Sequence, residues 1–123
     1  MKILAIDDQQ LVLLTLQKRF EELGFKVRVA TDAIKGLDLF DTFKPNLVIV
    51  DINMPKISGI ELIKRIRTSK KSSTPIMVLS GNTSDDVFAK GFEYGISDYM
   101  KKPINLEEVT ARVKRLNIFF QTF

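Results

Sequence analysis

Apolar residues are spaced along this chain in two alternating ways. Short apolar runs recur from Lys2 to Ile6, Lys26 to Ala30, Leu47 to Val50 and Ile76 to Leu79, with a weaker one around Asp98 to Met100. The first, third and fourth are near-continuous, as in parallel strands covered on both faces. Between the runs, apolar residues return every three or four positions, the spacing of one helix stripe. Leu13, Leu16, Phe20 and Leu23 make the first stripe, Ala33, Leu37 and Phe40 the second, and Leu62, Ile63 and Ile66 the third. Phe88 and Phe92 belong to a fourth, and Leu106, Val109, Val113, Leu116 and Phe120 form the last. A β-α unit repeated five times predicts a parallel sheet with right-handed crossovers, hence a three-layer, doubly wound α/β domain.

The punctuation agrees with these elements. Ser58 with Glu61 reads as a capping box, and Asn105 with Glu108 resembles one. Thr31, and Thr83 or Ser84, are expected N-caps. Gly24 stands where the first helix should end. Pro45 and Pro75 each precede a strand, where a missing N–H does least harm. No internal linker or repeat interrupts the 123 residues, so one domain, 1–123, is expected.

Composition narrows the chemistry. There is no Cys and no His. That excludes disulfides, thiolate or imidazole metal sites, Ser-His-Asp catalysis and an internal phosphohistidine. Any metal must be held by oxygen, which favours Mg²⁺, Mn²⁺ or Ca²⁺. No apolar stretch approaches the roughly 20 residues of a membrane span, and Met1-Lys2-Ile3-Leu4 runs straight into a strand. A soluble cytoplasmic protein without membrane contact is expected. The net charge of +4 is scattered. Its densest stretch, Lys64-Arg65 through Arg67 to Lys70-Lys71, falls near a helix C-terminus and has no interleaved aromatics, so it reads as a solvated basic face rather than a nucleic-acid site.

In doubly wound sheets ligands sit beyond the carboxyl ends of the strands. Those ends carry Asp7-Asp8, Asp51, Ser80 with Gly81, and Lys101-Lys102-Pro103. In the flavodoxin-like order 2-1-3-4-5 they meet in one cleft. Three carboxylates together repel, and an oxygen-ligated divalent ion is the natural compensation. With a Lys and a Ser hydroxyl, the set could clamp a phosphoryl group while a carboxylate attacks it in line.

The motifs Ile6-Asp7-Asp8, Val50-Asp51-Ile52-Asn53-Met54-Pro55 with Gly59, Leu79-Ser80-Gly81, and Gly95 through Asp98-Tyr99-Met100-Lys101-Lys102-Pro103-Ile104 lie in order at the strand ends. Together they resemble the receiver domain of two-component response regulators, chemotaxis regulators among them, over essentially the whole chain. The resemblance implies that Asp51 is the phosphoacceptor. It implies that Asp7, Asp8, Asp51 and the backbone carbonyl of Asn53 hold Mg²⁺, with Mn²⁺ as a substitute. Ser80 and Lys102 would bind the phosphoryl oxygens, Lys102 being the lysine that precedes Pro103 in a peptide bond typically cis. Ser80 and Tyr99 would form the switch, changing the surface of the fourth helix, fifth strand and fifth helix. Asn82 and the Asn53 side chain would tune phosphoryl lifetime.

The implied donor is a histidine kinase or histidine phosphotransfer protein, and the implied listener an effector domain or protein. Such a domain is a signalling switch rather than an enzyme with a substrate of its own. The rivals are a Mg²⁺-dependent aspartyl-phosphate phosphatase, which would want a second carboxylate where Asn53 stands, and a flavodoxin-like binding module that is never phosphorylated. Asp7 and Asp8 read alone would be helix-start acids favoured by the dipole. Ile118, Phe119, Phe120 and Phe123 are apolar for a free tail. They would pack on the core, lead into an effector, or meet a second subunit in a phosphorylation-dependent homodimer.

Overall fold

The computed structural model describes residues 1–81, 89 and 92–122, with side chains as far as residue 117 in the last helix. The elements run β1 (Lys2–Ile6), α1 (Gln10–Glu22), β2 (Lys26–Ala30), α2 (Ala33–Phe43), β3 (Leu47–Asp51), α3 (Gly59–Thr68), β4 (Ile76–Ser80), β5 (Asp98–Lys101) and the C-terminal helix α4 (Leu106–Thr122). All strand pairings are parallel, in the order β2-β1-β3-β4-β5. This is the doubly wound parallel sheet the hydrophobic pattern predicts, with its strands in the expected flavodoxin-like order.

Strand alternation divides the interior in two. Leu4, Ile6, Val48, Val50, Ile76 and Val78 pack with Leu62, Ile63 and Ile66 of α3 and Ala33 of α2. Ile3, Ala5, Leu47, Ile49, Met77, Leu79 and Met100 face Leu13, Leu16 and Phe20 of α1 and Val109 and Val113 of α4. Each fully buried aliphatic side chain contributes roughly 1.5–3 kcal/mol. Two such layers can therefore offset the cost of a buried polar site at the carboxyl ends of the strands.

The ends of the elements follow local chemistry. After α1, Gly24 takes φ +88°. Its N–H donates to the Glu21 carbonyl and the Phe25 N–H to the Phe20 carbonyl. That is a Schellman ending, closed by the Phe20–Phe25 ring contact at 6.4 Å between centroids. Ser58 accepts from the Glu61 N–H at 3.2 Å and Asn105 from the Glu108 N–H at 3.1 Å, as expected.

Some expectations need correction. The N-cap of α2 is Asp32, whose Oδ1 accepts from the Lys35 N–H at 2.8 Å, not Thr31. Leu23 lies past the last turn of α1 and is 37 % exposed. Strands β3, β4 and β5 each extend one residue further than their apolar runs, because the polar Asp51, Ser80 and Lys101 keep the ladder pairing. The predicted fourth helix falls largely outside the described residues, with Thr83, Ser84, Phe88 and Asn82. Phe92, also assigned to its stripe, is 57 % exposed. The side chains of Ile118, Phe119, Phe120 and Phe123 also lie outside them.

The basic stretch is not uniformly solvated. Arg67 donates through Nε to the Tyr94 carbonyl (2.6 Å), through Nη1 to Ser72 (3.0 Å) and Thr74 (2.8 Å), and through Nη2 to Gly95 (3.1 Å). Its planar fork ties α3 to the segments entering β4 and β5. Lys70 meets Asp41 at 2.6 Å. No helix among the described residues is long and apolar enough to cross a membrane.

Candidate functional site

The alternation that aims Ile3 and Ala5 toward α1 continues to Asp7; likewise Leu47 and Ile49 lead to Asp51, and Met100 to Lys102. The three polar residues therefore leave their strands on one side of the sheet. Asp7 and Asp51 are 1 % and 3 % exposed, whereas Asp8 is at the surface. One carboxylate oxygen from each of Asp7, Asp8 and Asp51 falls within 4.8 Å of the other two. Asp7 and Asp8 precede α1, whose first turn holds no acid, so the helix-start reading does not apply to them.

Lys102 closes the cleft. Its Nζ lies 2.8 Å from Asp7 Oδ2, 3.3 Å from Asp51 Oδ2 and 2.9 Å from Gln9 Oε1. The Lys102-Pro103 bond is cis, and the Lys102 N–H donates to the Ser80 carbonyl at 2.8 Å. The other oxygens of the pair are held by backbone: the Gln9 N–H donates to Asp7 Oδ1 (2.8 Å) and the Asn53 N–H to Asp51 Oδ1 (3.0 Å).

Electrostatics follow from two buried carboxylates on one ammonium, with the exposed Asp8 beside the carboxylates. Burial pushes the Asp7 carboxyl above the usual carboxylate value; the contacts from Lys102 and the Gln9 N–H oppose this, and the Asp51 charge adds to it. Burial alone would lower the Lys102 ammonium, but the adjacent Asp7 and Asp51 outweigh it and hold it above the usual lysine value. The Lys102 direction expresses a local surplus of negative charge, whereas the Asp7 direction comes first from burial. Asp7 Oδ2 touches Lys102 without an aligned hydrogen bond among the described residues. A hard-oxygen donor set with an excess of negative charge and an under-used carboxylate oxygen is compatible with a divalent cation.

Ser80 is buried on the opposite sheet face, where its Oγ accepts from Asn53 Nδ2 at 3.2 Å. Tyr99 pairs with Val78 and Lys101 with Ser80, so Tyr99 and Ser80 are diagonal neighbours on that face. Tyr99 packs partly buried against the α2–α3 side of the core. The loop to α3 is pressed close: a Cβ on Gly59 would stand 2.4 Å from the Asp51 carbonyl oxygen.

Asp7, Asp8, Asp51 and Lys102 thus stand together at the strand ends, with the Asn53 N–H on Asp51, whereas Ser80 emerges on the other face and reaches this group through the Asn53 side chain. Gln9 is the residue that reasoning missed. Its signal was a long amide at a position where a helix wants a short cap.

Residues 3–114 match the response regulator receiver domain family. The chain belongs to that family. Receiver domains of this kind are switch modules of two-component systems. The chain is 37 % identical over 115 residues to the alkaline phosphatase synthesis transcriptional regulatory protein PhoP of Bacillus subtilis, covering 94 % of this chain and 48 % of that protein. It is 34 % identical over 113 residues to the cell cycle transcriptional regulator CtrA of Caulobacter vibrioides, covering 92 % and 48 %. It therefore spans about half the length of these relatives. Among solved structures it resembles the receiver domain of the Francisella response regulator 1452, with 32 % identity, a TM-score of 0.84 and 94 % of each chain covered. The chemotaxis protein CheY4 of Vibrio cholerae gives 28 % identity and a TM-score of 0.85, covering 93 % of this chain and 96 % of that one.

Proposed function

We propose that residues 1–123 form one cytoplasmic receiver domain that accepts a phosphoryl group on Asp51 from a phosphohistidine of a partner kinase or phosphotransfer protein, and that the modified form is read by an effector. The observation that carries this reading is the bridge from Lys102 to both Asp7 and Asp51 in a buried, net-negative cleft.

A carboxylate oxygen of Asp51 attacks phosphorus, forming a P–O bond as the P–N bond to the donor imidazole breaks; the imidazole leaves and takes its proton from solvent. Asn53 N–H orients the carboxylate through Oδ1, leaving Oδ2 toward Lys102. Lys102 Nζ turns its charge from the carboxylates to the arriving phosphoryl oxygens. Asp7, Asp8, Asp51 and the Asn53 carbonyl would hold Mg²⁺, with Mn²⁺ as a substitute, and the ion when bound neutralises phosphoryl and carboxylate charge. Ser80 Oγ exchanges Asn53 for a phosphoryl oxygen, and Tyr99, its diagonal neighbour, follows. The surface of β5 and α4 then changes its preference for partners.

Incubation with acetyl phosphate and Mg²⁺ should add one phosphoryl group per chain, seen by intact mass. Equal labelling of Asp51→Asn would overturn the assignment.

A further inference from the structure

Gln9 breaks a local rule that the other described helix starts obey. Asp32, Ser58 and Asn105 each spend a side-chain oxygen on a backbone N–H of their own helix. Gln9 is the N-cap of α1, with extended backbone at φ −92°, and makes no side-chain cap. A Gln is a poor cap, and leaving the first turn without one costs helix stability. Its Oε1 instead accepts from Lys102 Nζ at 2.9 Å, across 93 positions of sequence. A forfeited local interaction beside a cleft of charged groups is the kind of departure that marks function.

The contact has a particular consequence. Among the described residues three oxygens surround Lys102 Nζ, and two belong to Asp7 and Asp51, the carboxylates that a divalent cation would claim. The third belongs to a neutral amide, which a hard cation wants less than a carboxylate. Gln9 and Lys102 also line a cavity of ≈ 530 Å³ with Val12, Gly81 and Pro103, so the amide stands at an open rim. A released lysine would regain its large rotamer freedom.

We propose that Gln9 is a positioning residue that keeps the Lys102 ammonium at the cleft when a divalent cation takes Asp7 and Asp51, so that it is already in place for the phosphoryl group. The inference rests on the phosphoacceptor reading of Asp51.

The test compares wild type with Gln9→Met, which keeps the stem and loses the acceptor, and Gln9→Ser, which restores a good N-cap. Four quantities are measured: Mg²⁺ binding alone, beryllofluoride binding with Mg²⁺, thermal unfolding, and the NMR signal of the Lys102 ammonium in Mg²⁺-saturated protein. Both variants should bind Mg²⁺ within about twofold of wild type but beryllofluoride roughly three- to tenfold more weakly, the range of one hydrogen bond. Both should lose the slowly exchanging Lys102 signal. Gln9→Ser should unfold at the same temperature or higher, whereas a merely structural Gln9 would lose stability and affinity together. Unchanged beryllofluoride affinity in both variants overturns the proposal. A wild type that binds no beryllofluoride defeats the phosphoacceptor reading itself; persistence of the Lys102 signal in Gln9→Ser then overturns the tether on its own.

Discussion

Lys102 Nζ stands 2.8 Å from Asp7 Oδ2, yet the Asp7 carboxyl is still pushed above its usual range. One ammonium does not neutralise the burial of Asp7 and the charge of its neighbour Asp51. A carboxyl whose pKa is raised by folding binds its proton more tightly when folded. Its stabilising contribution is present below the ordinary value of 3.8 and is lost as pH rises through the raised one. At neutral pH the ionised Asp7 therefore weakens the metal-free fold. Asp7→Asn should stabilise that form by about 1 kcal/mol at pH 7, the usual size of a point-mutant effect. The gain should shrink as pH falls toward 4. Urea unfolding of both proteins across pH checks the sign, and a variant less stable at pH 7 would contradict it.

Two glycines should respond to alanine for different reasons. At Gly24 an added Cβ meets nothing within 4 Å, so only the positive φ resists it. Gly24→Ala should cost about 1 kcal/mol, the penalty of a left-handed L-residue, and leave phosphoryl acceptance unchanged.

At Gly59 the Cβ would meet the Asp51 carbonyl oxygen at 2.4 Å and Ile52 Cα at 2.6 Å. Neither atom can yield without moving the strand end that carries Asp51. Gly59→Ala should cost roughly 1–3 kcal/mol, as overpacking does, and also slow labelling by acetyl phosphate. Equal labelling rates for the Gly24 and Gly59 variants would show that this strand end is not pinned by the loop.

Arg67 binds four carbonyls from two segments. A lysine can reach one or two of them as a point charge. Arg67→Lys therefore gives up two or three of the four and should lose about 3 kcal/mol, the low end for two charged hydrogen bonds, in chemical denaturation. Amide exchange should rise around Ser72 to Thr74 and Tyr94 to Gly95 rather than along β1.

The fold and most of the cleft were legible because each is written in period or at a boundary. Continuous runs at β1, β3 and β4 announced two-sided burial, and the polar residues that end those runs announced the site. Arg67 and Gln9 were not legible, because their roles are made by contacts between distant segments. In sequence Arg67 is one cation in a basic stretch, and Gln9 one of two adjacent glutamines. Only the close approach of α3 to residues 94 and 95, and of Lys102 to the start of α1, gives them partners. The mistaken Thr31 cap was a choice between two good capping residues side by side, decided by where α2 begins.

Asp7 follows the first strand and Lys102 the last, so the cleft also bears on how the chain must fold. Parallel strands are joined by crossovers, and no local segment assembles them. Until β5 docks, the carboxylates of β1 and β3 lack their built-in cation. A partly folded chain therefore carries an acidic hollow at the carboxyl end of its central strands. Divalent cations present during refolding should stand in for the absent lysine, so that the metal dependence of the refolding rate gauges whether the last strand has arrived.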